Sequence, residues 1–210
     1  MITELYFIRH GETETNTVDK FTGRYDARLT DKGIEQAKLC KKNVSALNFD
    51  RIFSSPLVRA LKTAEIISGN SGEIKTDDRL SELDGGIWNG IYYKTIAERY
   101  PEQFKIYKTD LDDFKAEGGE SVKDVLKRVK EFVSFIVGNY GGKKICVVSH
   151  AIVIRTLFAY YLNKNVRDIP FPTNASVSVL KFNGEDLCDV IYGKDDYMGN
   201  LKTNIDIELF

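Results

Sequence analysis

The two histidines of this chain each follow an apolar run that is typical of a β-strand. His10 follows residues 5–8 and Arg9, and His150 follows residues 145–149. The unperturbed pKa of histidine is the closest to neutral among the side chains, so imidazole often serves as an acid, a base or a nucleophile. Ligands of open α/β sheets bind beyond the carboxyl ends of the strands. We therefore expect both histidines to contribute to one site at one edge of a sheet.

Together with the two histidines, three further side chains predict phosphoryl-transfer chemistry, namely Arg9, Arg59 and Glu82. This reaction needs a nucleophile, cations around the phosphoryl oxygens and a proton for the leaving oxygen. A neutral His10 supplies the nucleophile, while Arg9, Arg59 and a protonated His150 supply positive charge. Glu82 is the candidate proton donor.

Strands and helices alternate along the chain in the pattern of an α/β protein. Apolar runs predict strands at residues 3–8, 51–54, 73–76, 143–149, 176–182 and 187–193. Helical periodicity predicts helices at residues 30–47, 57–68, 121–137 and 152–162. A helix that begins near Ala151 would direct its first N–H groups at an anion. The segment Asn183-Gly184-Glu185-Asp186 favours a hairpin turn, so we expect one antiparallel pairing at the edge of a mixed sheet.

The composition is that of a globular protein and argues against several functional classes. The 210 residues contain no evident linker, so we expect a single domain over residues 1–210. A net charge of −1 argues against a general attraction to nucleic acid or to an anionic membrane. No apolar run approaches the roughly 20 residues that span a bilayer. The three cysteines suggest neither a disulfide framework nor a zinc site, and no signal-peptide pattern is visible. These features predict a cytoplasmic protein whose partner is a small molecule.

Six motif-bearing segments follow one another along most of the chain. They are Arg9-His10-Gly11-Glu12-Thr13 with Asn16, Thr22-Gly23-Arg24-Tyr25-Asp26 with residues 29–33, residues 54–60 with Thr63-Ala64, residues 82–90, Gly118-Gly119-Glu120-Ser121, and Val147-Val148-Ser149-His150. In this order they resemble the histidine phosphatase superfamily, also called phosphoglycerate-mutase-like proteins. The resemblance implies a three-layer α/β/α sandwich with a six-stranded mixed, mostly parallel sheet.

The resemblance also implies a role for each candidate site residue. His10 is implied as the phosphorylated nucleophile and Glu82 as the proton donor. The implied phosphate pocket comprises Arg9, Arg59, His150 and Asn16. Thr22 and Gly23 match positions that touch the substrate in mutase members. Neither a metal nor an organic cofactor is implied for the phosphatase members.

The chain departs from the family pattern in two places. Many members have glycines after the second histidine, where this chain has Ala151-Ile152. The N–H of Ala151 remains available to an anion, although a side chain narrows the approach. Many members also have an aromatic residue where Gly85 or Gly86 stands, which alters the expected wall of the substrate pocket.

The motifs favour a metal-independent phosphomonoester hydrolase over two alternatives. A bisphosphoglycerate-dependent phosphoglycerate mutase usually has an Arg-His-Tyr segment after the glutamate and a longer arginine-bearing insertion, whereas Leu83-Asp84-Gly85 follows Glu82 here. A catalytically silent phospho-ligand-binding module on the same fold would be expected to lack the nucleophile or a pocket arginine. The Cys-x5-Arg motif of cysteine phosphatases and the P-loop motif are both absent from the sequence.

The sequence leaves the substrate and the oligomeric state open. The motifs resemble the α-ribazole phosphatase and broad-specificity bacterial branches without separating them, so we expect a small phosphorylated metabolite as substrate. Trp88, Tyr92 and Tyr93 either line the pocket for an apolar leaving group or belong to the core. We expect an activity optimum on the acidic side of neutral, because Glu82 must be protonated while His10 stays neutral.

Overall fold

Six β-strands form the centre of the protein. The computed structural model describes residues 1–69, 73–112 and 114–203. The strands are β1 (Ile2–Arg9), β2 (Arg51–Ser54), β3 (Ile74–Thr76), β4 (Lys144–Ser149), β5 (Val177–Asn183) and β6 (Asp186–Lys194). All six strands predicted from the sequence are present within one or two residues of the expected bounds.

The strands form a single sheet in the order β3-β2-β4-β1-β5-β6. The pairings of β3 with β2, β2 with β4 and β4 with β1 are parallel, so the predicted mixed, mostly parallel sheet is confirmed. The predicted hairpin joins β5 to β6 at the edge, with Gly184 in the left-handed region at φ 61°. A second antiparallel pairing, between β1 and β5, lies inside the sheet and was not predicted.

Helices cover both faces of the sheet. In the described part of the chain the α-helices are α1 (Asp31–Val44), α2 (Val58–Ser68), α3 (Tyr93–Arg99), α4 (Pro101–Thr109), α5 (Val122–Asn139) and α6 (Ala151–Tyr161). Short 3₁₀ helices span Glu14–Asn16, Ser45–Leu47, Asp78–Leu80, Gly86–Trp88, Val166–Asp168 and Asp196–Leu201. Among the described residues, no helix combines the length and the apolar character needed to cross a membrane.

The alternation of side-chain direction along β1 explains why the protein has three layers. Tyr6 and Ile8 of β1 pack with residues of α1 and α2, whereas Leu5 and Phe7 pack with residues of α5 and α6. Successive side chains of a strand point to opposite faces, so one strand supplies both cores. The α/β/α sandwich implied by the sequence motifs is confirmed.

Helices α3 and α4 form an aromatic layer that was not predicted from the sequence. Phe104 and Tyr107 of α4 pack against Trp88, and the ring centroids of Trp88 and Tyr107 lie 5.7 Å apart. Tyr93 of α3 packs in turn against Phe104 and Tyr107. Pro101 interrupts the helical periodicity here, and it stands at the first turn of α4, where the missing N–H costs nothing.

Candidate active site

The register of β1 against β4 brings the two histidines together. Arg9 is level with Ser149 in this pairing, and each histidine is the next residue along its strand. The His10 N–H donates to the Ser149 carbonyl at 3.0 Å, and the two imidazole ring centroids lie 5.1 Å apart. The structure therefore places both histidines at the carboxyl edge of the sheet, where the sequence predicted a shared site.

The hydrogen bonds of His10 leave Nε2 as the nitrogen with a lone pair. Nδ1 lies 2.7 Å from the Gly11 carbonyl oxygen, which can only accept, so the ring proton is on Nδ1. Nε2 accepts from Nε of Arg59 at 3.3 Å. Burial, Arg59 and Arg9 hold the pKa of His10 well below its usual value. At neutral pH His10 is therefore an uncharged imidazole.

Arg59, in the first turn of α2, is fully buried and donates in three directions. Nη1 donates to the Tyr25 carbonyl at 2.8 Å and Nη2 to the Gly23 carbonyl at 2.7 Å, in addition to the bond to His10. Burial lowers the pKa of Arg59 to about 10, so the guanidinium stays charged at pH 7. Gly23 has φ 47°, and a Cβ there would lie 2.0 Å from Oδ1 of Asn89, so this support requires glycine.

Arg9 is the second buried cation beside His10. Its Nη1 donates to the Pro172 carbonyl at 2.7 Å, while Nε has no hydrogen-bond partner among the described residues. Burial lowers the pKa of Arg9 to about 10, which leaves the side chain charged. A buried N–H of this kind is available to an anion.

Glu82 lies in the irregular segment after the Asp78–Leu80 helix, and its carboxylate meets the start of α6. Oε1 accepts from the Leu83 N–H at 2.9 Å, and Oε2 accepts from the Ile152 N–H at 3.4 Å. Burial raises the pKa of Glu82, although the Leu83 N–H, Arg59 and Arg9 oppose the shift. The environment thus favours the protonated carboxyl more than water does.

His150 is fully buried and bonded to the loop after β2. Its Nε2 lies 2.7 Å from the Ser55 hydroxyl, which already accepts from the Leu57 N–H. A hydroxyl has one proton and two lone pairs, so Ser55 can bond Nε2 in either tautomer of the ring. Nδ1 has no partner among the described residues.

The protonated state expected for His150 differs from the state that its environment favours in the structure. Burial, Arg59 and His10 hold the pKa of His150 well below its usual value, so the ring is neutral at pH 7. The expectation of a protonated His150 is corrected on this point, because burial above all, together with the nearby Arg59, disfavours the charged form of the ring. His150 is also absent from the side chains that line the cavity described below.

A cavity of about 320 Å³ opens onto His10, Arg9, Arg59 and Glu82. Four more of the predicted binding residues line this cavity, namely Asn16, Thr22, Gly23 and Ala151. His150 does not line it. Oδ1 of Asn16 accepts from the Thr13 N–H at 3.0 Å, so this residue also caps its own 3₁₀ helix. The Thr22 hydroxyl donates to Thr15 at 2.8 Å.

The three aromatic residues that the sequence left between pocket and core occupy different places in the structure. Trp88 is fully buried in the core, Tyr92 is half exposed and does not line the cavity, and Tyr93 lines it. Tyr93 and Tyr107 approach each other through their hydroxyls at 3.3 Å on the same wall.

Several cavity residues were missed from the sequence. They are Thr15, Phe21, Tyr107, Phe171, Asn174 and Thr203, together with others of the loop at residues 17–20. Asn174 donates to the His10 carbonyl at 3.0 Å, and its Oδ1 has no partner among the described residues. The unpredicted pairing of β5 with β1 brings Asn174 here, so no local sequence signal indicated it. Within the described ranges, no group of three histidine, cysteine or acidic side chains is arranged to hold a metal ion.

Comparison with known protein families identifies related phosphatases. The family model described as histidine phosphatase superfamily (branch 1) matches residues 5–190. Phosphoserine phosphatase 1 of Hydrogenobacter thermophilus is 34% identical over 162 residues, which make up 77% of each protein. Phosphoglycerate mutase-like protein 4 of Arabidopsis thaliana is 31% identical over 195 residues, which cover 90% of this chain and 84% of the relative.

Solved structures share the fold. Bacillus stearothermophilus YhfR superposes with a TM-score of 0.89 at 30% identity, over 93% of this chain and 99% of that protein. The α-ribazole phosphatase of Shigella flexneri superposes with a TM-score of 0.80 at 24% identity, over 88% of this chain and 93% of that protein. At this identity the similarity to the α-ribazole phosphatase supports a shared fold only.

Proposed function

Because this chain belongs to the histidine phosphatase superfamily, we propose that it is a metal-independent phosphomonoester hydrolase acting on a small phosphorylated metabolite through phospho-His10. The observation that carries the proposal is the state of His10 at the cavity wall. Its ring is neutral, Nδ1–H is fixed by the Gly11 carbonyl, and the Nε2 lone pair lies beside Arg59. A positioned, unprotonated imidazole is what nucleophilic attack on phosphorus requires.

In the first chemical step, Nε2 of His10 attacks phosphorus and the bond from phosphorus to the ester oxygen breaks. The carboxyl of Glu82 transfers its proton to the departing oxygen, so an alcohol leaves and a carboxylate remains. In the second step a water molecule attacks the phosphohistidine and the N–P bond breaks. The water proton returns to Glu82, inorganic phosphate leaves, and His10 recovers its lone pair.

Cationic and N–H groups around His10 would stabilise the charge on the phosphoryl oxygens. Arg59 and Arg9 are buried cations, and Nε of Arg9 is a buried donor without a partner among the described residues. Ala151 adds a backbone N–H at the start of α6, where the helix dipole favours an anion. In a site shielded from water such fixed donors supply much of the rate enhancement of phosphoryl transfer.

The charge around the cavity favours hydrolysis over the mutase alternative. Among the described residues that line it, Lys20 is the one cation besides Arg9 and Arg59. A bisphosphorylated ligand would bring a second phosphate with few partners. The silent-module alternative is disfavoured because the nucleophile, both arginines and the acid are all retained.

The test is a hydrolysis panel of phosphorylated metabolites and p-nitrophenyl phosphate, run with wild type and His10→Ala. We expect wild type to release phosphate from at least one member and His10→Ala to release none. Rapid acid quenching with ³²P-labelled substrate should place the label on His10 in wild type. His150→Gln serves as the matched control, since it alters the other buried histidine and should still be labelled at His10.

Four outcomes would contradict the proposal. Full activity of His10→Ala, or label on another residue, would exclude the phospho-His10 mechanism. Transfer of phosphate from bisphosphoglycerate much faster than hydrolysis would indicate the mutase. No turnover of any panel member by the wild type would favour the silent binding module.

A further inference from the structure

The backbone of Glu82 is held by two arginines from distant parts of the chain. Residues 82–85 form neither helix nor strand, so no regular backbone ladder fixes them. The Glu82 carbonyl instead accepts from Nε of Arg24 at 3.4 Å and from Nη2 of Arg128 at 3.2 Å. Arg24 follows Gly23 at the cavity, and Arg128 lies on α5.

One carboxylate, that of Glu120, joins these two arginines. Oε2 accepts from Nη2 of Arg24 at 3.1 Å and from Nη2 of Arg128 at 3.0 Å, while Oε1 accepts from Nε of Arg128 at 2.9 Å. Oε2 also accepts from the Asp84 N–H at 3.0 Å, two residues beyond Glu82. The Glu120 carboxylate therefore fixes both donors to the Glu82 carbonyl and the segment that follows.

The electrostatic state of Glu120 agrees with this arrangement. Partial burial alone would raise its pKa, but the Arg128 guanidinium, the Asp84 N–H and Arg24 outweigh burial and lower the pKa. Glu120 is therefore ionised at neutral pH and makes charge-assisted bonds, which are stronger than neutral ones. Neither Glu120 nor Arg128 nor Arg24 lines the cavity, so these side chains act on the reaction through the residues that they hold, of which Glu82 is the candidate acid.

We propose that Glu120 is a positioning residue that, through Arg24 and Arg128, aligns the Glu82 carboxyl with the leaving oxygen of the substrate. The inference rests on the proposed role of Glu82 as proton donor. A general acid acts only within hydrogen-bond reach of the oxygen it protonates, about 2.6–3.2 Å, so small displacements of its backbone matter. Glu120 thereby couples the start of α5 to the proton-transfer step.

The experiment uses the dependence of rate on the leaving group. A p-nitrophenolate leaves without a proton, whereas an alkoxide needs one, so a displaced acid slows alkyl phosphates selectively. The parameter kcat/KM reports only steps up to release of the alcohol, so the later hydrolysis of phosphohistidine does not affect it. We would measure kcat/KM for p-nitrophenyl phosphate, phenyl phosphate and an alkyl phosphate with wild type, Glu120→Gln, Glu82→Gln and Asp124→Asn.

Asp124→Asn is the matched control. Asp124 lies in the first turn of α5, the helix that carries Arg128, and its carboxylate is bonded to Ser121 and Lys115, with no contact to Arg24 or Arg128. It therefore reports what loss of a carboxylate does to α5 without loosening Glu82. Glutamine at position 120 removes the negative charge and replaces one of the two acceptor oxygens with an NH2 group, which cannot accept from an arginine.

We expect Glu120→Gln to lower kcat/KM for the alkyl phosphate about 10- to 100-fold, which is a part of the 10²–10⁴ that general acid catalysis supplies. The p-nitrophenyl ester should lose less than about threefold, and Asp124→Asn should leave the ratio of the two substrates unchanged. Glu82→Gln should show the same selectivity with a larger loss.

Equal losses on both substrates in Glu120→Gln, or no loss on either, would overturn the inference while leaving the function intact. Equal losses in Glu82→Gln would instead remove Glu82 as the proton donor, so the two failures are distinguishable. Should Glu120→Gln fail to fold, Arg128→Lys gives the second test, because lysine keeps the charge but has one ammonium nitrogen in place of the planar fork that bonds Glu120 and the Glu82 carbonyl. The same selective loss is expected there.

Discussion

The cavity has two ends that are built in different ways. At the histidine end (His10, Arg9, Arg59 and Ala151), each side chain stands at the end of a strand or in the first turn of the helix that follows one. At the aromatic end (Phe21, Tyr93, Tyr107 and Phe171), the wall comes from helices α3 and α4 and from connecting loops.

This difference in construction assigns the reaction to the histidine end and the choice of substrate to the aromatic end. Groups at the histidine end are fixed by backbone partners, as when Arg59 bonds two carbonyls and His10 bonds one. Rings at the aromatic end touch one another and offer few polar groups to a ligand, since the Tyr93 and Tyr107 hydroxyls approach each other. A phosphoryl group common to all substrates needs the first environment, while the second distinguishes the alcohols attached to it.

The largest effect is expected at the histidine end. Arg59→Ala should lower kcat/KM by about 10³-fold or more, because an arginine that stabilises a phosphoryl transition state is worth 10³–10⁵. The loss should be the same factor for every substrate in the panel, since all share the phosphoryl group. Arg59→Lys should recover little of it, because an ammonium cannot reproduce the forked contacts. A loss confined to some substrates would contradict the division between the two ends.

The second effect is the pH dependence of the rate, which follows from the opposite pKa shifts of His10 and Glu82. Because burial raises the pKa of Glu82, its proton persists to higher pH than in an ordinary glutamate and is lost on the alkaline side. Burial and two arginines lower the pKa of His10, so its neutral form persists into acid. The kcat/KM of an alkyl phosphate should therefore be greatest on the acidic side of neutral and fall as Glu82 deprotonates.

Comparison with Glu82→Gln checks that assignment. This variant should lose about 10²-fold or more in kcat/KM for the alkyl phosphate, together with the fall on the alkaline side. A wild-type rate that still rises above about pH 8, beyond the ordinary range of either group, would show that neither titration controls the reaction.

The histidine end could be predicted from the sequence because its signals are local. An apolar run followed at once by a polar residue marks a strand exit, and the exits of parallel strands meet at one edge. Both His10 and His150 carry this local signal in the sequence. The protonation of His150 could not be predicted, because it depends on burial and on the distance to Arg59, which only the folded chain defines.

The aromatic end was harder to predict for two physical reasons. Tyr93, Ile96, Tyr100, Phe104 and Tyr107 recur at helical spacing, but Pro101 divides the pattern into two short helices. Which ring faces the cavity then depends on packing against Trp88. Asn174 and Phe171 arrive through the pairing of β5 with β1, a non-local contact that no sequence window contains.

Phe171→Ala tests the aromatic end, with Trp88→Phe as its control. Removing a wall residue should change the relative kcat/KM of large and small substrates by about tenfold, since apolar pocket contacts are worth 10–200-fold in discrimination. Trp88→Phe should lower the melting temperature through a loss of about 1–3 kcal/mol in the fully buried core and leave the order of substrates unchanged. If Trp88→Phe reordered the substrates instead, the boundary between core and wall would be misplaced.

The smallest effect is expected from Ala151→Gly, at the point where this chain departs from the family pattern. Ala151 is the first residue of α6 and lines the cavity. Its N–H is retained in the variant, so inhibition by inorganic phosphate should change less than about threefold, because the donor and the helix dipole are unaltered. The helix should lose roughly 0.5–1 kcal/mol, since glycine has more backbone entropy to lose on folding. A much larger change in the inhibition constant would mean that the methyl group shapes the histidine end, so that selectivity arises at both ends of the cavity.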